Sequence, residues 1–128
     1  MSPALLGIAL ALAAGQAVAA QSARVDDTQA TVEARVLHLR ALDNLNGTTR
    51  DIDMTVGETT SFGHLEITAE DCRVPRAEPG ADAFAFLRIR DIREPAPRFS
   101  GWMFASSPAL SALDHPRYDV WVLSCSRS

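Results

Sequence analysis

The chain has 128 residues, of which 47% are hydrophobic, 6% aromatic and 22% charged, and this length suits one domain. Twelve basic residues against 16 acidic ones give a net charge of -4, which argues against a nucleic-acid-binding surface. All the basic residues are arginine, and this excludes lysine chemistry such as Schiff bases, phosphate-binding P-loops and Ser-Lys dyads.

The N-terminal segment is typical of an export signal. No charged residue precedes Arg24, and residues 4–14 are a nearly pure run of Ala, Leu and Ile. Small residues then follow in the spacing that signal peptidase accepts. We therefore predict cleavage after Ala19 or Ala20 and a protein of the periplasm.

The alternative for this segment is an uncleaved N-terminal membrane anchor. A membrane-spanning helix needs about 20 apolar residues, and Gly15 and Gln16 interrupt the run before that length is reached. The resulting domain prediction is a signal peptide at residues 1–20, a polar and flexible lead-in at 21–33, and a single β domain at 34–128.

Cys72 and Cys125 are the two cysteines of the chain. An even pair in an exported protein predicts a structural disulfide between them. A reactive thiol is the alternative, but the chain has no C-x-x-C motif and no obviously electropositive setting for either cysteine.

The chain after the signal is typical of short strands separated by turns rich in Gly, Pro and Asn. Apolar residues alternate with polar ones at Ile52, Met54 and Val56, which indicates a strand buried on one face. Similar patterns predict the other strands, over residues 34–43, 65–72, 83–91, 99–105 and 118–125. One short helix is predicted near 108–113, because Ser107 suits an N-cap and Pro108 the first helical position. The fold class is therefore all-β, a small β-sandwich or partly open barrel of six to seven short strands.

Catalytic and metal-binding signals are weak. His38, His64 and His115 are dispersed, with no spacing typical of a metal site. Ser106 and Asp114 supply residue types of a hydrolase triad with His115, but no G-x-S-x-G motif accompanies them. We predict no catalytic residue, no metal and no cofactor.

The candidate binding surface comes from aromatic residues near the C-terminus. Five of the eight aromatics lie between residues 99 and 121. Trp102, Phe104, Tyr118 and Trp121 either form core, because a small β domain needs large apolar side chains, or dock a partner or ligand. If Trp102, Phe104 and Trp121 meet, they form a cluster under the Cys72–Cys125 bridge.

Arg88 and Arg90, followed by Arg93, are candidates to bind an anion or the carboxylates of a partner. The alternative is a solvated or salt-bridged surface, since Asp91 and Glu94 lie close enough in sequence to neutralise them.

The C-terminal half carries a resemblance to a known family. Residues 101–108 (GWMFASSP), 114–116 (DHP) and 118–121 (YDVW) resemble the DUF2155 family of uncharacterised exported proteins, and residues 56–58, 62–65 and Cys72 resemble its earlier half. The likeness covers most of residues 34–125. The resemblance implies a small exported alphaproteobacterial protein with no established activity and no assigned catalytic residues. Its association with genes for an accessory subunit of respiratory complex I implies a role on the periplasmic side of that membrane complex.

Two functions are therefore expected in order. The first is a non-enzymatic periplasmic module that docks on a protein partner, with an inner-membrane complex such as complex I as the candidate. The alternative is a β domain that binds a small ligand or a glycan, with Trp102 or Trp121 as stacking platform and Arg88 or Arg90 as polar anchor. A hydrolase is a distant third.

Overall fold

The computed structural model describes residues 30–128. The predicted export signal and most of the predicted lead-in lie outside the described residues. Eight strands make up the described part: β1 (Thr31–Glu33), β2 (Val36–Asp43), β3 (Thr48–Thr55), β4 (Thr59–Phe62), β5 (Leu65–Pro75), β6 (Phe84–Asp91), β7 (Phe99–Phe104) and β8 (Tyr118–Ser126).

The strands form two antiparallel sheets. One sheet has the order β1-β5-β6-β7, and β4 also pairs with β5. The other has the order β3-β2-β8. The sheets do not join into a closed barrel, so the fold is the β-sandwich of the two predicted alternatives. Within residues 30–128 there is no helix with the length and apolarity needed to cross a membrane.

Alternation in the sequence explains which side chains reach the core. Along β6, Ala85, Leu87 and Ile89 are buried while the residues between them face outward. Both β2 and β5 bury every second side chain over most of their length. The inward rows of the two sheets pack against each other, and the largest fully buried members are Tyr118, Leu37, Leu39, Met54, Leu65, Ile67, Leu87, Ile89 and Met103.

The disulfide between Cys72 and Cys125 is present, as predicted. It joins β5 of one sheet to β8 of the other, with the two Cα atoms 6.2 Å apart. That separation is within the range that a disulfide spans without moving the backbone. The bridge therefore fastens the two sheets together from inside the sandwich.

Two strands escaped the sequence analysis. β1 lies inside the segment that the sequence assigned to the lead-in, and it pairs with the end of β5. β4 has only four residues, and three of them are Ser or Thr, so it lacks an apolar pattern. Both are held by pairing with the long strand β5, which local sequence does not reveal.

The predicted helix near 108–113 is wrong. The segment forms turns instead, with the Leu110 N–H donating to the Ser107 carbonyl over 3.0 Å and Pro108 at the second position of that turn. Fixing a helical nucleus is costly, and six residues before a proline allow too little propagation to offset it. Burial of Leu113 and His115 draws the chain into the sandwich instead.

Candidate functional site

Four aromatic side chains lie together on the outward side of β6 and β7. Phe84 pairs with Phe104 across the two strands, and Phe86 pairs with Trp102. The ring centroids are 5.8 Å and 5.5 Å apart, and both pairs meet edge to face. All four are half-buried. We call Phe84, Phe86, Trp102 and Phe104 the aromatic face.

Arg88 and Arg90 continue the same outward row of β6, beyond the aromatic face. Each is in an ion pair with a glutamate of the neighbouring strand β5, Arg88 with Glu70 at 3.0 Å and Arg90 with Glu66 at 2.6 Å. The sequence had offered Asp91 and Glu94 as their partners, which the structure corrects. An open groove of about 420 Å³ passes these arginines, lined also by Thr59, Thr68, Ile89 and Pro97.

Trp121 lies on the opposite sheet. It alternates with the buried Val120 and Val122, so its half-buried ring faces outward from β8. A mostly apolar groove of about 400 Å³ adjoins it, lined by Leu42 and by the turn residues Pro108, Ala109 and Ala112. Trp121 therefore does not meet Trp102 and Phe104, and no aromatic cluster joins these three under the disulfide.

Tyr118 is a core residue, so its prediction as part of a binding surface is wrong. Its side chain is fully buried, with the Phe62 ring centroid at 5.9 Å and the Arg117 guanidinium 5.1 Å from the ring. The hydroxyl accepts the His64 N–H at 3.2 Å. Tyr118 begins β8 on the inward side, and this placement sends its ring between the sheets.

A polar cluster at the end of β6 holds the chain on either side of Tyr118 in place. The fully buried Asp91 carboxylate accepts two hydrogen bonds from the Arg93 guanidinium, at 3.0 Å and 2.7 Å, and one from the Arg93 backbone N–H at 2.9 Å. His115 contributes a fourth at 3.0 Å. The Arg93 side chain and backbone bonds, with that of His115, hold the pKa of Asp91 far below its usual range, against the effect of burial.

The hydrogen bonds of His115 define its protonation. Its Nδ1 atom accepts the backbone N–H groups of Arg117 at 3.0 Å and Tyr118 at 3.3 Å. Because those groups only donate, Nδ1 carries no proton, and Nε2 must donate to Asp91. His115 is thus the neutral ring that fixes the turn leading into β8.

Asp91, Glu94 and His115 bring possible metal-ligand atoms within 4.8 Å of one another. The arrangement does not suit a cation. The Asp91 oxygens already accept hydrogen bonds from Arg93 and His115, and the Glu94 carboxylate accepts two from Arg98 at 2.7 Å. Two guanidinium groups at this position would repel a metal ion, so the cluster is a structural network.

The structure brings together Trp102, Phe104, Arg88 and Arg90 from the predicted binding surface, all on the outward side of one sheet. Tyr118 and Trp121 are excluded from that surface. Phe84 and Phe86 belong to it and were not proposed as candidates. Their alternation with Ala85 and Leu87 already placed them beside Arg88 on one face, so the signal was present in the sequence.

Comparison with known proteins now identifies the family. The profile of DUF2155, described as an uncharacterized protein conserved in bacteria, matches residues 37–125. The chain belongs to this family. The match begins within β2 and ends at Cys125, so it takes in both sheets and both cysteines of the bridge.

One DUF2155-like relative is an uncharacterized protein of Rickettsia prowazekii (strain Madrid E). It is 29% identical over 89 residues, which cover 66% of this chain and 57% of the relative. The chain thus spans little more than half the length of that protein. No solved structure matches the chain.

Proposed function

We propose that this DUF2155 protein is a non-enzymatic module of the periplasm that docks on a protein partner through its aromatic face. The candidate partner is an inner-membrane complex, such as respiratory complex I, approached from its periplasmic side. Export with cleavage after Ala19 or Ala20 belongs to the same proposal.

The observation that carries the proposal is the aromatic face itself. Phe84, Phe86, Trp102 and Phe104 leave apolar ring surface in water on one side of one sheet. Aromatic residues are enriched at protein interfaces, where one buried anchor contributes about 2 kcal/mol or more. The rings support each other edge to face, so little side-chain freedom is lost on docking.

The polar residues support a binding role over a catalytic one. Ser106 Oγ donates to Asp82 at 2.6 Å, whereas His115 donates to Asp91. The serine and histidine offered by the sequence for a hydrolase therefore bind different carboxylates. The disulfide supports the compartment, because such bridges persist in oxidising environments such as the periplasm.

The test compares two tryptophans on opposite sheets. The tagged full-length protein, wild type or Trp102→Ala, is crosslinked in its native membranes, and the recovered partner is quantified by mass spectrometry. We expect Trp102→Ala to reduce recovery by about tenfold or more, the loss of one interface anchor.

Trp121→Ala is the matched control, because Trp121 is also half-buried and outward-facing but lies on the other sheet. It should recover the partner as wild type does. Equal recovery with both variants, or loss with Trp121→Ala alone, would contradict docking through the aromatic face.

The groove beside Arg88 and Arg90 favours ligand binding as a second candidate function. Its polar lining and the neighbouring Trp102 fit a small polar ligand or a glycan. Calorimetric titration with a panel of oligosaccharides distinguishes the two functions. Saturable binding that Arg88→Ala abolishes and that leaves partner recovery unchanged supports the ligand function.

A further inference from the structure

The outer edge of β7 presents unpaired backbone groups. Its register with β6, together with the bond from the Ala105 N–H to the Ala83 carbonyl, turns the backbone of Phe99, Gly101 and Met103 toward β6. The N–H and C=O groups of the alternate residues, Ser100 and Trp102, point away from the sheet. No residue among 30–128 forms a hydrogen bond to them.

Nothing in the sequence of β7 protects this edge. Natural edge strands carry charged residues, proline or bulges that prevent pairing with another chain. Residues 99–113 contain no charged side chain, and proline first occurs at Pro108, after the strand has ended. By contrast, the edge strand β3 of the other sheet carries Arg50, Asp51 and Asp53.

We propose that β7 pairs antiparallel with β7 of a second copy of this chain, about a two-fold axis at Trp102. The Trp102 residues of the two copies then exchange both backbone hydrogen bonds, and Ser100 of each copy pairs with Phe104 of the other. The strand is self-complementary because residues two positions on either side of Trp102 present their backbone groups to the same edge.

Charge supports a second copy as the occupant. The protein is net negative, so most contacts between copies bring like charges together. An uncharged edge is the surface where that repulsion is weakest. Residues paired across the axis point to the same side of the joined sheet, so the aromatic faces of both copies become one continuous surface.

The contact is small, which sets its strength. An edge about 20 Å long and about 10 Å thick presents roughly 200 Å² to its partner, well below the roughly 800 Å² per partner of specific stable complexes. We therefore expect a concentration-dependent dimer rather than an obligate one. The pairing does not require the docking partner and goes beyond the proposed function.

The test is sedimentation equilibrium of the purified exported protein from about 10 µM to about 1 mM, a range chosen for a weak interface. Wild type should show a monomer–dimer equilibrium. Ser100→Pro removes an N–H that points away from β6, so the sheet is retained. It deletes one hydrogen bond from each half of the pairing and should weaken association about tenfold or more.

Ser100→Ala is the matched control, since it removes the same hydroxyl but keeps the N–H, and it should associate as wild type does. Amide exchange of wild type gives a second readout. The Trp102 and Phe104 N–H groups should become protected as concentration rises, whereas those of Gly101 and Met103 stay protected throughout. A monomer at every concentration, or a dimer indifferent to Ser100→Pro, would overturn the pairing and leave partner docking untouched.

Discussion

Gly63 and Tyr118 show how one residue constrains another that is distant in sequence. Gly63 lies in the tight turn between β4 and β5 with φ of +55°, a left-handed conformation that side chains disfavour. A Cβ atom there would come within 2.8 Å of Tyr118 Cζ. The turn therefore needs glycine for its backbone and also for the buried ring packed against it.

We expect Gly63→Ala to lower the free energy of unfolding by about 2 kcal/mol or more, from backbone strain and displacement of Tyr118. Urea denaturation measures it. Gly80→Ala is the control, since Gly80 has nothing within 4 Å of the added Cβ, and it should change stability by less than about 0.5 kcal/mol. Equal effects at both positions would refute the steric role of Gly63.

At the scale of elements, alternation predicts the long strands and their buried faces, as β5 and β6 show. It fails where an element depends on a neighbour: β1 and β4 both pair with β5. The segment between β7 and β8 shows the opposite failure. Its helix signals at Ser107 and Pro108 are real local preferences, but burial of Leu113 and the bond from His115 to Asp91 outweigh them.

That bond makes the joint between β6 and the turn before β8 sensitive to acid. The pKa of Asp91 is lower in the folded protein than in the unfolded chain, where an aspartate titrates near about 3.9. Below about pH 5 the unfolded chain binds a proton that the folded protein does not, so this contribution to stability is lost as pH falls.

The Asp91→Asn variant should therefore be less stable than wild type near neutral pH, and the difference should shrink as pH falls from about 6 to about 3. Urea midpoints across that range measure it. A difference that stays constant with pH would show that Asp91 stabilises the fold by packing and not by charge.

At the scale of the whole molecule, the disulfide connects the two sheets. Cys72 is fully buried in β5, and Cys125 is near the end of β8. A bridge that closes a loop of this length stabilises by about 4 kcal/mol, a large share of the roughly 5–15 kcal/mol total for a domain.

Replacing both cysteines by alanine should lower the free energy of unfolding by about 4 kcal/mol, chiefly because the unfolded chain gains freedom. Urea denaturation measures the loss, and Ser124→Ala, at an exposed position next to the bridge, is the control. Alkylation of the exported wild-type protein should find no free thiol. Two alkylated cysteines in that sample would contradict both the bridge and the oxidising compartment.

The sequence by itself determined the all-β class, the strands with clean alternation and the pairing of the two cysteines. These follow from local periodicity and from residue counts. Only the tertiary structure decided that Tyr118 is core, that Trp102 and Trp121 face outward from opposite sheets, and that Phe84 and Phe86 complete the aromatic face. Each depends on strand order and register, which arise from contacts between residues far apart in the chain, and no single stretch of sequence encodes them.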